Sequence, residues 1–212
     1  MKKRILCFGD SNTWGYIAGS GLRYDETIRW PSKLQELLGP DYIVIEEGLT
    51  GRTTIFDDPM SPHLNGYAHM GPIFLTAAPI DILIFMLGTN DFQSHILGNS
   101  AVATARAIQF MLEEVQRLDV ARPGSEMKTL LISPVEITED RLSFKDLDLT
   151  NESSIQNSRL LGKYLKLVAE QCGCDFLDAA QYIRPSRVDG VHLDAEGHAK
   201  LADLVFERVK EY

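Results

Sequence analysis

A serine, a carboxylate and an imidazole set far apart in the chain are the residue types here that could do chemistry together. Ser11 lies in Phe8-Gly9-Asp10-Ser11-Asn12-Thr13, directly after an apolar run and a glycine turn. Asp189 and His192 lie in Val188-Asp189-Gly190-Val191-His192, near the other end of the chain. A serine hydroxyl attacks poorly until a base takes its proton, so Ser11 requires a partner. His192 can be that base, with Asp189 accepting from its Nδ1 to set the tautomer and leaving Nε2 for Ser11. A separation of three residues permits this only in a curled loop, which Gly190 makes easy.

Ester chemistry also needs donors aimed at a developing oxyanion. Three are on offer: the Ser11 N–H, the bare N–H of Gly51, and the side-chain amide of Asn90 in Leu87-Gly88-Thr89-Asn90-Asp91. Asn12, Trp14, Phe92 and Val191 adjoin these blocks and are expected to line the substrate pocket. Arg52, beside the proposed oxyanion donors, is expected to hold its loop by pairing with a carboxylate. Taken singly, Gly-Asp-Ser is a capped tight turn, Asp189 and Asn90 are turn residues, and His192 caps a helix. Their company is what points to ester chemistry.

These blocks need elements that bring them together. Apolar runs predict five strands, at 3–8, 42–46, 80–87, 128–133 and 175–177, and the third is apolar enough to be covered on both faces. Helices are expected at about 31–38, 65–78, 100–118, 151–172 and 195–210, with Pro72 near a break or a first turn of the second. Asn99 or Ser100, Asn151 or Ser153, and Asp194 are suited to cap helix starts, and Gly173 to end one. Val102, Ala105, Ile108, Met111 and Val115 recur at helical spacing and mark an inner face. Strands alternating with helices predict an α/β fold: a three-layer α/β/α sandwich on a five-stranded, parallel, doubly wound sheet, as one domain over residues 1–212. Loops after the first three strands then share one rim, and the 134–150 loop, with Leu142, Phe144, Leu147 and Leu149, is placed to overhang it.

Composition narrows the partners. A chain of 212 residues with a formal charge of −9 has no basic cluster beyond Lys2-Lys3-Arg4, which argues against a nucleic-acid partner. The apolar run after those lysines is too short for a signal peptide, and no segment approaches a membrane span. Three cysteines fit a reducing cytoplasm better than a disulfide framework. Cys172-Gly-Cys174 supplies too few ligands for tetrahedral zinc, so no metal is expected.

Taken together, Gly9-Asp10-Ser11, a glycine-bearing second block, Gly88-Thr89-Asn90-Asp91 and Asp189-Gly190-Val191-His192 resemble the ordered blocks of the SGNH hydrolase, or GDSL, family. Thr13-Trp14-Gly15, Glu46-Glu47-Gly48-Leu49 and Arg52-Thr53-Thr54 are similar to its arylesterase and acyltransferase branch. The resemblance implies cofactor-free ester hydrolysis with Ser11 as nucleophile, Asn90 and a second-block N–H in the oxyanion hole, and a homo-oligomer. Gly48 and Gly51 both fit the second-block donor, and Gly51, just before Arg-Thr-Thr, is favoured. Deacetylation of a carbohydrate uses the same machinery. From other classes, a flavodoxin-like binding module and a phosphatase attacking through Asp10 are the alternatives; Asn12, where the phosphatase would have a second aspartate, weighs against the latter.

Overall fold

A computed structural model of the chain describes residues 1–143 and 149–212. Strands β1 (Lys3–Gly9), β2 (Tyr42–Gly48), β3 (Ile82–Met86), β4 (Lys128–Ser133) and β5 (Asp175–Asp178) form a parallel sheet in the order β2-β1-β3-β4-β5. Side chains alternate along the strands and feed two cores. Leu6, Phe8, Leu83, Phe85 and Leu131 enter one; Ile5, Cys7, Ile82, Ile84, Leu130 and Ile132 enter the other. A two-residue period with apolar residues at both phases has this result when helices cover both faces.

Among the described residues the α-helices are, in chain order, α1 (Ser11–Trp14), α2 (Trp30–Leu38), α3 (Gly66–Ala77), α4 (Ala101–Arg117), α5 (Asp140–Ser143), α6 (Glu152–Cys172) and α7 (Ala195–Val209). Phe74, Ile108, Met111, Leu161 and Leu165 bring α3, α4 and α6 onto the first face, while Leu34, Leu201 and Val205 bring α2 and α7 onto the second. Each such fully buried side chain contributes about 1.5–3 kcal/mol. The caps are local. Ser100 accepts from the Ala103 N–H, Asp194 accepts from the Gly197 N–H, and Asn151 with Ser154 forms a reciprocal capping box. Gly173, at φ 67°, ends α6 in the left-handed conformation.

The three-layer α/β/α architecture matches the expectation, and the differences from it are local. Pro72 lies inside α3 rather than at a break. Both Pro72 and Ala68, whose carbonyl loses its partner, are exposed, so water can satisfy that oxygen. Val102 is 51% exposed, because the buried stripe of α4 runs through Ala101 and Ala105 instead. β3 is shorter than its apolar run: Ile80 is buried but makes only an isolated bridge to Ala121. Phe144 and Leu147, expected to overhang the rim, lie outside the described residues. Among the described residues no helix is long and apolar enough to cross a membrane.

The strand order positions the site. From β1 the chain steps outward to β2, then returns past β1 to β3, so the direction of winding reverses there. Loops leaving the C-terminal ends of β1 and β3 diverge and open a crevice between them. In register, Gly9 stands beside Gly48 of β2 and Met86 of β3, which sets the loops that follow these three strands along one edge.

Candidate active site

Ser11 opens α1 immediately beyond β1. The turn is tight: a Cβ on Gly9 would lie 2.1 Å from Thr13 Oγ1 and 2.9 Å from the Met86 carbonyl oxygen, so only glycine fits. Asp10 caps α1 by accepting from the Asn12 N–H at 3.0 Å. The Ser11 side chain then lies 3.0 Å from His192 Nε2, and His192 Nδ1 lies 2.7 Å from Asp189 Oδ2. The loop that carries this pair is curled, as the three-residue spacing demands. Asp189 Oδ1 accepts from the Val191 N–H at 3.1 Å and the His192 N–H at 3.0 Å, and Gly190 sits at φ 67°.

Burial raises the Asp189 pKa. The hydrogen bond and charge of His192, joined by the two backbone donors, outweigh it and hold the carboxylate at about 2. Asp189 therefore stays ionised at any pH where the imidazole works as a base.

Ser11, Gly51 and Asn90, the residues expected to supply oxyanion donors, come from the loops after three strands and line one cavity. Asn90 lies in a 3₁₀ turn after β3, Thr89–Phe92; its amide donates to the Arg52 carbonyl at 3.0 Å and its Oδ1 accepts from Gln93 Nε2 at 3.1 Å, which fixes the amide plane. Gly51, at φ 80°, lines the cavity around Ser11. Gly48 does not line it: a Cβ there would lie 2.1 Å from the Trp14 nitrogen, so this glycine lets β2 pack against α1. The backbone N–H groups of Ser11 and Gly51 donate to no acceptor among the described residues.

Behind these donors lies a buried polar layer that motif reading does not reach. Among the described residues Arg52 forms no ion pair with a carboxylate, contrary to expectation. Its Nη1 donates to the Gly9 carbonyl at 2.9 Å and to the Glu47 carbonyl, and its guanidinium lies 4.3 Å from the Phe8 ring centre. One cation thus ties the end of β1 to the end of β2. Asp91 accepts from the Thr54 N–H at 2.8 Å and Thr54 Oγ1 at 2.6 Å, linking the turn after β3 to the loop after β2. Burial raises Asp10 and Asp91 to about 6 each, with hydrogen bonds offsetting only part of the desolvation.

The cavity over Ser11 has a volume of about 190 Å³. Tyr16, Ile137, Leu149 and Val191 give it apolar walls; Gln93, Arg141 and Thr150 are among its polar ones. Of the residues expected to line it, Val191 does and three do not. Asn12 is a clasp, donating to the Val191 carbonyl at 3.3 Å and accepting from the Leu193 N–H at 2.9 Å. Phe92 turns into the core beneath the site. Trp14 packs outside, under the Arg23 guanidinium. Adjacency in sequence fails here because a helical or 3₁₀ turn sends neighbouring side chains to different sides. Tyr16 carries no motif signal, since a long loop decides where it lands, whereas Ile137 and Leu149 belong to the loop expected to overhang the rim.

A larger hollow of about 590 Å³ lies at the opposite rim, among Asp119, Lys128, Cys172 and Asp175. Size alone confers no chemistry. That hollow has no nucleophile paired with a base, and burial pushes the Cys174 thiol up to about 12, where it is inert.

Comparison with known proteins places this geometry among relatives. The model of the GDSL-like lipase/acylhydrolase family matches residues 7–200. The native aryl esterase structure of M. smegmatis is 31% identical, superimposes with a TM-score of 0.89, and is matched over 99% of both chains. A carbohydrate acetylesterase family member from Sinorhizobium meliloti is 34% identical with a TM-score of 0.90, over 99% of this chain and 98% of that one. An acetylxylan esterase of Xylanibacter ruminicola is 24% identical over 225 residues, covering 98% of this chain. The chain spans only 43% of the length of that curated relative.

Proposed function

Because the chain belongs to the GDSL-like lipase/acylhydrolase family, we propose that it is a serine esterase that cleaves small carboxylic esters through an acyl-enzyme on Ser11. The observation that carries this reading is the unbroken chain from Ser11 Oγ to His192 Nε2 at 3.0 Å and from His192 Nδ1 to Asp189 at 2.7 Å, on the wall of one cavity.

The steps follow from the geometry. Ser11 Oγ attacks the ester carbonyl while His192 Nε2 takes its proton, and Asp189 stabilises the imidazolium that forms. The carbonyl oxygen gains the charge and is held by the N–H groups of Ser11 and Gly51 and by the Asn90 amide. Collapse breaks the carbon–oxygen bond, and His192 returns the proton to the departing alcohol. Water enters on the leaving-group side and attacks the acyl carbon as His192 takes its proton; the bond to Ser11 Oγ then breaks, His192 returns that proton to Ser11, and the acid leaves.

A cavity of about 190 Å³ with apolar walls supports short acyl groups, with rates falling as the chain lengthens. The same walls support acyl transfer, since an alcohol competes with water only where apolar burial concentrates it. Gln93 and Thr150, polar residues of the same cavity, favour a second reading, deacetylation of a carbohydrate, because they can bond sugar hydroxyls. The odd cysteine count supports a cytoplasmic setting, and the branch resemblance supports a homo-oligomer, which light scattering at micromolar concentration tests.

The decisive experiment measures hydrolysis of a graded series of p-nitrophenyl esters and of acetylated sugars, with Ser11→Ala as control. Loss of all turnover in a folded Ser11→Ala protein is expected. Retained turnover in a clean preparation overturns the reading.

A further inference from the structure

The loop joining α1 to α2 supplies none of the groups used in the acyl-transfer steps, yet it touches the Asp189–His192 pair at two points. The Tyr16 ring lies against the His192 imidazole, with centroids 4.2 Å apart and planes 31° from parallel. Three residues on, the Gly19 N–H donates at 3.2 Å to Asp189 Oδ2, the oxygen that also accepts from His192 Nδ1.

The loop is itself firmly held. The Tyr16 N–H donates to the Ser11 carbonyl at 3.0 Å, the Tyr24 N–H to the Gly15 carbonyl at 2.7 Å, and the Ile17 N–H to the Leu22 carbonyl at 2.9 Å. Tyr16 and Arg23 form an antiparallel bridge across it. Arg23 Nε donates to the Trp14 carbonyl at 2.7 Å, and Arg23 is paired with Glu46. Gly19, at φ 69°, makes the turn that aims its N–H inward.

We infer that Tyr16 is a positioning residue for His192, and that residues 15–24 form a brace holding the imidazole in line between Asp189 and Ser11. The inference rests on the reading of these three as a catalytic triad. Hydrogen bonds at Nδ1 and Nε2 hold the ring at its two nitrogens, but the ring can still rock about the line that joins them. A second ring packed against its face removes that freedom, in the tilted, near-contact arrangement that aromatic pairs adopt. The gain is in rate, because a displacement of about 1 Å at a reacting group costs about 10². Gly19 completes the brace, giving the Asp189 oxygen a second donor so that it cannot swing with the imidazole.

The test compares Tyr16→Phe and Tyr16→Leu with Ser11→Ala and His192→Gln. It measures kcat and KM on p-nitrophenyl acetate, and it follows the downfield proton NMR line of the His192 Nδ1–H, assigned by its loss in His192→Gln. Tyr16→Phe keeps the ring and should retain kcat and the line. Tyr16→Leu should lose about tenfold in kcat with KM within about twofold, and its line should broaden or vanish while circular dichroism is unchanged. If Ser11→Ala and His192→Gln retain full turnover, the triad reading fails and the brace with it. If those two are inactive while Tyr16→Leu keeps both kcat and the line, the brace alone is overturned. A Tyr16→Leu effect confined to KM overturns it as well, leaving Tyr16 as a wall of the substrate cavity.

Discussion

At the scale of single residues, the site separates groups proposed to act on the substrate from groups that hold those in place. Asn90 has its plane fixed by the Arg52 carbonyl and Gln93, so in the proposed mechanism its amide would meet a developing charge with no reorganisation. Asn90→Ala should therefore lower kcat by about 10² to 10³ with a smaller change in KM, measured under saturating ester; a change in KM alone would assign Asn90 to substrate binding. Arg52 is a holding residue. Its guanidinium bonds two strand-end carbonyls and stacks on Phe8, and burial brings its pKa down to about 10, which leaves it charged at neutral pH. Both bonds leave the single Nη1 nitrogen, which an ammonium can imitate, but lysine has no planar group to stack on Phe8, so Arg52→Lys should cost about 0.5–2 kcal/mol in urea unfolding. An unchanged midpoint would mean that the stack on Phe8 is dispensable.

At the scale of elements, the site depends on where helices and loops begin. The start of α6 reaches the Asn90 turn, because Ser154 Oγ donates to the Phe92 carbonyl at 2.6 Å. Asn151→Ala removes the cap of this helix and should cost about 1 kcal/mol of stability. The expected outcome is a lowered Tm with kcat nearly unchanged, because α6 also carries Ile155, Leu161 and Leu165 into the core and stays docked. A collapse of kcat at temperatures where the protein is folded would show instead that the cap sets the geometry of the Asn90 turn. The loop after β4 is tied to the His192 loop in a similar way, through the Thr138 N–H and the Gly190 carbonyl at 2.9 Å. Gly190 is required there: a Cβ would lie 2.5 Å from the Arg141 nitrogen.

At the scale of the whole molecule, buried titratable groups set how stability varies with pH, and they act in opposite directions. His198 is buried in α7 and burial lowers its pKa to about 4, against 6.5 for the free side chain. As pH falls below about 6.5 the unfolded chain takes up this proton first, so stability is lost progressively down to about 4. Asp10 and Asp91 are raised from 3.8 to about 6, so the native state takes up protons first, and stability is gained as pH falls through that window. His198→Gln should leave only the carboxylate contribution, making Tm at pH 5 higher relative to Tm at pH 7 than in the parent protein. An identical pH dependence in the two proteins would show that His198 does not take part. Of this molecule, the sequence by itself determined what depends on residue type and short-range period. Apolar runs that alternate with helices, the third of them apolar throughout, call for a sheet covered on both faces, Asn99 or Ser100, Asn151 or Ser153, and Asp194 mark helix starts, and Ser11, Asp189 and His192 are singled out because few residue types can attack, accept a proton or orient a base. Tertiary structure decided the strand order β2-β1-β3-β4-β5, the inward turn of Phe92, the clasp made by Asn12, the carbonyl partners of Arg52 and the placing of Tyr16 against His192. The reason is that periodicity reports which face a side chain takes but not which element lies across from it. The positions of loop residues are set by hydrogen bonds to distant partners, such as Gly19 and Asp189, 170 residues apart.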